Sequence, residues 1–293
     1  MGSNTVNMVK ITVITVVYND RKGFRNTAES VVSQNACYGT DWEWIVVDGQ
    51  SKDGTVDEIS SYDNRITWWV SEPDNGIYDA MNKALAHANG EYLIFMNAGD
   101  CFCDIDVIRR VIIHESFGKS DYLVGDTYHV SNGEVVGEPD IPGEITGKML
   151  YMRSMPHQAT FMRTSRLRAL GGYDTSYRIV ADAKFFFQDI VINDAVCSNL
   201  GFFTTLYDLS GVSATSWQRS WEERSRLLSE LLPMRIRADY QRYCYGETAL
   251  ERILCKISTH SVLYLILTGF AVLMYAPVSI FNRLNMRLHR WSK

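Results

Sequence analysis

Asp100 ends the stretch YLIFMNAGDCF, in which a short apolar strand from Tyr92 stops abruptly at Asn97, Ala98, Gly99 and Asp100. In an α/β domain, ligands gather just past the carboxyl ends of parallel strands. A carboxylate delivered there by a rigid strand is well placed to hold a divalent metal on a nucleotide diphosphate. The same residues also suit a turn, with Asp100 capping a helix that begins near Asp104 or closing a turn with Gly99. A second polar group, Glu72, Asp74, Asn75, Asp79 and Asn82, stands at the start of one helix. Asp79 and Asn82, three apart, share a face pointing away from the Ile77/Met81 stripe. Capping explains this group equally well, with Asp74 or Asn75 as N-cap and Asp79 paired with Lys83 at i+4.

The elements that must position these side chains are legible from periodicity. Lys10 to Tyr18 is a β-branched run that reads as a buried parallel strand, and a helix follows with Phe24, Thr27, Ala28, Val31 and Val32 at helical spacing. Trp42 to Val47 forms the next strand, and the polar, glycine-punctuated turn from Asp48 to Thr55 leads into another helix. Ile66 to Val70 is the third strand, and the helix after it repeats Ile77, Ala80, Met81, Ala84, Leu85 and Ala88, ending at Gly90. Tyr92 to Met96 is the fourth strand. These βα units predict a doubly wound, mostly parallel sheet whose polar strand ends converge along one edge.

After Asp100 the pattern loosens. A helix near Asp104 to Glu115 precedes a hairpin of Tyr122 to Val130 and Gly133 to Val136, joined through Ser131 and Asn132. Gln158 to Arg163 reads as a returning strand and Asp182 to Ile192 as a helix or strand with a bulky aromatic face. The rest, through Gly211 and Val212, is loop-rich and suited to closing over a ligand. The expected organisation is a catalytic domain over 10–215, divided into 10–103 and an acceptor-facing 104–215, then an amphipathic helical region over 216–257 and a hydrophobic, basic tail over 258–293.

With 293 residues, 46% hydrophobic and 22% charged, the chain supports one sizeable core plus an appendage. Its net charge of -5 argues against nucleic-acid binding through a basic surface. The six cysteines show neither a CxxC pair nor a zinc spacing, which predicts reduced packing residues in a cytosolic setting. No signal-peptide pattern opens the chain, so the catalytic part is expected to face the cytoplasm. Ser261 to Phe281 carries no charge, and a straight helix of that length spans about 32 Å, enough to cross a hydrocarbon core. Arg283, Arg287, Arg290 and Lys293 follow it, and a single crossing would put them outside, against the positive-inside tendency. An in-plane or re-entrant pair of helical pieces, broken around Gly269 and Pro277, keeps both flanks inside and sets the basic tail on anionic headgroups. This predicts a peripheral or monotopic protein on the inner face of the plasma membrane.

Taken together, TVVYND at 15–20, VVDGQSKDGT at 46–55, SEPDNGIYDAMNKAL at 71–85, YLIFMNAGDCF at 92–102, PHQATFMR at 156–163 and IVADAKFFF at 179–187 resemble the family 2 glycosyltransferases of the GT-A fold. The resemblance covers roughly 10–215, with the motifs in the family's order. Its closest likeness is to bacterial enzymes of colanic-acid, exopolysaccharide and O-antigen synthesis. It implies an inverting transferase, of hexosyl, deoxyhexosyl or N-acetylhexosaminyl groups, that uses a UDP-sugar in preference to a GDP-sugar and a polyprenyl-linked saccharide acceptor.

The resemblance also implies roles. Thr15, Val17, Tyr18, Asn19 and Gly49 sit where the family wraps the nucleoside, and Asp48 matches the aspartate that accepts the base's imide hydrogen. Asp100 matches the metal-binding aspartate of the DxD-type motif, holding Mg²⁺ or Mn²⁺. Asn97 and Gly99 stand where many members carry further aspartates, leaving Asn97 to hydrogen-bond the donor. His157 is a further metal ligand or phosphate contact, or else a packed, hydrogen-bonded residue. Glu72, Asp74, Asn75, Asp79 and Asn82 lie beside the donor sugar. Asp182 is the base, with Ala181 in place of a common acidic neighbour, and an N-cap role is compatible with that. Two other classes compete: a nucleotidyltransferase, whose glycine-rich phosphate loop TVVYNDRKG lacks, and a non-catalytic scaffold of the same fold. Oligomeric state is left open.

Overall fold

The computed structural model describes residues 9–131, 134–135, 144–208 and 216–245. Its first half follows from burial. Strand β1 (Ile11–Val17) and strand β2 (Trp42–Asp48) are buried along their whole length, as the β-branched and aromatic runs require in a sheet covered on both faces. Helix α1 (Arg21–Val32) starts on Asp20, whose carboxylate accepts from Gly23 N at 2.8 Å, and it buries Phe24, Thr27, Ala28 and Val31. Helix α2 (Thr55–Ser60), strand β3 (Trp68–Ser71), helix α3 (Ile77–Leu85) and strand β4 (Tyr92–Phe95) complete the expected βα series.

The remaining elements are β5 (Cys101–Phe102), α4 (Val107–Ile112), β6 (Tyr122–Ser131), β7 (Glu134–Val135), α5 (Gly147–Met152), β8 (Thr160–Arg163), α6 (Thr164–Ala169), α7 (Ala181–Phe186), β9 (Cys197–Asp208) and α8 (Trp217–Leu231). Among the described residues one sheet runs β3-β2-β1-β4-β8-β6-β9-β5, with β7 paired on β6. The parallel block β3-β2-β1-β4 places Val17, Asp48 and Ser71 on one rung at its carboxyl edge. Beyond β4 the sheet is mixed: β8 runs antiparallel to β4 and β6, β6 runs parallel to β9, and β5 runs antiparallel to β9. The hairpin expected after Tyr122 is the antiparallel β6–β7 pair.

Two local expectations change, and one open alternative is decided. Ile77, assigned to the buried stripe of α3, is 41% exposed, and Tyr78 turns inward at 6%. Residues 78, 81 and 85 fall on one helical face, so the aromatic ring heads the stripe and must find a partner for its hydroxyl. Gly90 does not end α3, which stops at Leu85. A Cβ there would stand 2.4 Å from the backbone nitrogen of Thr12, so glycine is dictated by the close approach of two chain segments. The aromatic segment after Asp182 is helical, α7 passing into a π-helical turn over Phe187–Ile192.

Residues 1–231 form one compact unit that contains the sheet and α8. In the second unit, Leu232–Lys293, the described element is α9 (Met234–Tyr245). The tail over 258–293, Gly211, Val212 and Cys255 lie outside the described residues. Among the described residues no helix is long and apolar enough to cross a membrane. The described cysteines are free thiols, and burial raises the pKa of Cys103 to about 11 and of Cys197 to about 12, as expected of packing residues.

Candidate active site

At the carboxyl end of β2, Asp48 is fully buried and accepts from Ser51 N at 2.9 Å, from the Ser51 hydroxyl and from Ser71 Oγ at 2.6 Å. These bonds fix the carboxylate in place and leave one of its roughly four lone-pair sites over. Gly49 N donates to Val17 O at 2.9 Å, and a Cβ on Gly49 would lie 2.6 Å from the Asp74 carboxylate and 3.1 Å from the Tyr18 ring. Only glycine admits that convergence of β1, β2 and the loop after β3. Tyr18 is 67% exposed. Asn19 adopts a left-handed φ of 48° and ties this loop to the next, its N–H donating to Ser51 Oγ at 2.7 Å and its Oδ1 accepting from Lys52 N at 2.8 Å. Thr15 points elsewhere, into the core, where its hydroxyl accepts from Trp44 Nε1 at 3.0 Å.

The polar group before α3 is internally knitted. Asp74 Oδ1 accepts from Gly76 N at 2.8 Å, Asp79 Oδ2 accepts from Asn75 N at 2.9 Å, and Lys83 pairs with Glu72 at 2.8 Å. Arg178 reaches across to donate to Asn75 O. Asn82 is drawn away, its amide donating to Tyr173 O and accepting from Tyr173 N, both at 2.8 Å. It clamps α3 to the loop at Gly172.

The turn after β4 rests on a residue that helical spacing had marked only as small. The buried Thr27 hydroxyl donates to Asp100 O at 2.7 Å and accepts from Gly99 N at 3.0 Å, while Asp100 N donates to Asn97 O at 2.9 Å. Gly99 needs its φ of 100° for the reversal. Asp100 is 6% exposed, and its charge acts on His157. Among the described residues no three His, Cys, Asp or Glu side chains converge as a metal cage. A lone carboxylate beside the strand ends still fits a hard cation of the kind that takes most of its shell from substrate phosphates and water.

His157 links this tip to α7. Its Nδ1 lies 3.1 Å from Asp182 Oδ2 and its Nε2 lies 3.1 Å from Asn97 Nδ2, so both ring nitrogens have partners. Tyr78 donates to Asp182 Oδ1 at 2.9 Å and to Ile179 O at 2.6 Å. Burial opposes the charged form of His157, yet the hydrogen bond and charge of Asp182 and the charge of Asp100 outweigh it and raise its pKa. Burial, reinforced by Asp182, raises Tyr78 well above its ordinary range, so it remains a neutral donor. With neutral His157, Nδ1–H donates to Asp182 and Asn97 donates to Nε2. On protonation, a half-turn of the Asn97 amide would offer Nε2–H the Oδ1 atom, which is buried without a partner here. Asp182 thus sits in a network that holds its carboxylate in one orientation.

Two contributors escaped sequence reasoning. Tyr78 reads as filler within GIYDAM, and its signal was an aromatic with a polar tip at i−3 from buried Met81. Glu223 on α8 accepts from the backbone N–H groups of Arg178, Ile179 and Val180 at 2.9 to 3.3 Å, capping the approach to α7 from 40 or more residues away. No local pattern announces such a cap.

A cavity of about 530 Å³ opens beside this network, lined by Asp182, His157, Asp126, Arg153, Tyr207 and Arg224 among others. The arrangement sets a buried carboxylate, Asp48, at the carboxyl edge of the parallel strands, a second, Asp100, on the turn after β4, and a third, Asp182, held in orientation beside the cavity. Such a set can bind an activated diphosphate and take a proton from a hydroxyl brought to it.

Comparison with known proteins agrees. The chain is 34% identical over 190 residues to an uncharacterized glycosyltransferase of Mycobacterium tuberculosis, covering 64% of this chain and 71% of the relative. It is 32% identical over 153 residues to a PGL/p-HBAD biosynthesis glycosyltransferase of Mycobacterium bovis, covering 50% and 57%. The structure superposes on that of S. aureus TarS residues 1–349 in complex with UDP with a TM-score of 0.64 at 20% identity, covering 85% of this chain and 75% of that one, which shows the GT-A fold. Residues 12–172 match the model of Glycosyl transferase family 2, and the chain belongs to that family of glycosyltransferases.

Proposed function

We propose that this glycosyltransferase is inverting and moves a sugar from a UDP-sugar to a saccharide acceptor on a polyprenyl lipid, in bacterial surface polysaccharide or glycolipid synthesis. The observation that carries this reading is the hydrogen-bonded line Asn97–His157–Asp182–Tyr78, which joins the strand-end tip of the donor side to the cavity on the other. Tyr18, Asn19, Asp48 and Gly49 hold the nucleoside, and Glu72, Asp74, Asn75 and Asp79 face the donor sugar. Thr15, Val17 and Asn82 support that surface from behind. The preference for UDP draws support from the UDP bound by TarS.

Asp100 would hold Mg²⁺ or Mn²⁺, with His157 as a second ligand once its Nε2 releases Asn97. The cation supplies charge to neutralise the diphosphate. Asp182 accepts the proton of the acceptor hydroxyl as the acceptor oxygen bonds to the anomeric carbon. The bond from that carbon to the diphosphate oxygen breaks, and its electron pair leaves with the nucleoside diphosphate. The uncharged run Ser261 to Phe281 and the basic residues after it support a tail that keeps the enzyme on the cytoplasmic membrane face, next to a lipid-linked acceptor.

A hydrolysis screen over UDP-, GDP- and dTDP-sugars, with and without membrane lipid extract, tests the donor class. Turnover of UDP-sugars above the others is expected. No turnover with any donor would favour a non-catalytic member of the fold.

A further inference from the structure

Asp126 is the outlier among the buried carboxylates. It is 3% exposed, its Oδ2 is fully enclosed, and among the described residues no group hydrogen-bonds to the carboxylate. Burial alone, with no compensating partner, raises its pKa. Asp48, Asp189 and Glu223, equally buried, are each satisfied several times over. An unpaired buried carboxylate is costly, and replacing it with an apolar or neutral side chain would ordinarily stabilise the fold.

The backbone holds Asp126 where it is. It lies at a register irregularity between β6 and β9, the kind of bulge that re-aims a side chain. The preceding Gly125 is pressed against β9, where a Cβ would come within 2.3 Å of the Thr204 side chain. Asp126 O accepts from Thr204 Oγ1 at 3.1 Å, fixing the other side of the bulge. Asp126 so placed lines the same 530 Å³ cavity as Asp182.

We propose that Asp126 is the acceptor-sugar recognition residue: its carboxylate accepts a hydrogen bond from a pyranose hydroxyl other than the one that Asp182 deprotonates. The ligand class follows from the chemistry. An ionised carboxylate only accepts, a saccharide ring offers several hydroxyl donors, and a site built to receive a hydroxyl discriminates strongly against ligands that lack it. The inference rests on the transferase reading above, in that it names what fills the cavity on the acceptor side.

The probes are methyl α- and β-glycosides of glucose, galactose, mannose and N-acetylglucosamine, added to the full chain with UDP. Binding is read by saturation-transfer NMR, UDP affinity by calorimetry, and Tm alongside. At least one glycoside should bind the wild type, and Asp126→Ala should weaken it about ten- to hundredfold, the loss of a hydrogen bond to a charged group. Asp126→Asn should fall between. Both variants should keep Tm equal to or above wild type and bind UDP within about twofold of it. A merely structural Asp126 would lower Tm and leave glycoside affinity alone. Equal glycoside affinity in both variants, or no glycoside bound by a wild type that binds UDP, overturns the proposal. Failure of the wild type to bind UDP counts instead against the nucleotide-sugar reading.

Discussion

At the scale of residues, Asp182 and Asp100 differ in their surroundings. Asp182 receives hydrogen bonds from His157 and Tyr78, which hold its oxygens in place. Asp182→Asn keeps the shape and loses the proton acceptor. Donor binding should persist while transfer falls roughly hundred- to ten-thousandfold, the usual worth of a general base. Near-normal turnover by that variant would remove Asp182 from the role. Asp100 stands without a second carboxylate at its tip, since Asn97 and Gly99 occupy the neighbouring positions. Asp100→Ala should cost about 2 kcal/mol or more of Mg²⁺- or Mn²⁺-dependent UDP-sugar binding. Titration calorimetry with and without EDTA checks this, and unchanged affinity would count against a metal role.

At the scale of elements, α8 belongs to the compact unit of the sheet, and its Glu223 fixes the backbone that leads into α7. Desolvation pushes the Glu223 carboxyl upward, but the N–H groups of Ile179, Arg178 and Val180 and the side chain of Arg219 outweigh it and hold its pKa below 4.5. A carboxylate with a lowered folded-state pKa stabilises the protein at pH values above its unfolded value, and that contribution is lost as pH falls through the folded one. Glu223→Gln should therefore cost about 1.5 to 3 kcal/mol at pH 7, the worth of hydrogen bonds to a charged group. The gap from wild type should narrow as pH falls below about 4.5. Urea unfolding of both proteins at pH 7, 5 and 3 measures it, and a gap independent of pH would assign the loss to packing. Because Arg178 to Val180 precede Asp182, the variant should also lower transfer more than UDP affinity.

At the scale of the whole molecule, the sheet edge proposed to bind the donor and the cavity proposed to take the acceptor are joined by the hydrogen-bonded line through Asp182 on α7, and the tail over 258–293 is proposed to keep the enzyme on a membrane. Fractionating cells that carry the full chain or one lacking 258–293 tests the last step. The full chain should sediment with membranes and the shortened one should not. A full-length protein found wholly in the soluble fraction would sink the membrane reading.

The parallel half of the fold was legible because its signals are local. Apolar runs of strand length, helical stripes such as Phe24, Thr27, Ala28 and Val31, and polar tips at strand ends each arise within a few residues. The same locality made Asp100 stand out at the polar tip of its strand, whereas Asp48 and Asp182 were marked by the resemblance of the motifs around them. What the tertiary structure alone decided is how those carboxylates are partnered, because hydrogen-bond partners are chosen by proximity in space. Asp182 meets Tyr78 across 104 residues and His157 across 25. Glu223 meets Ile179 across 44. The Asp126 carboxylate meets no hydrogen-bond partner among the described residues, and only the fold reveals that a carboxylate inside YLVGDTYHV is both buried and unpaired. Composition and periodicity specify where the chain is apolar and where it turns. Which polar group satisfies which, and which is left for a ligand, follows from packing the second half of the sheet against the first.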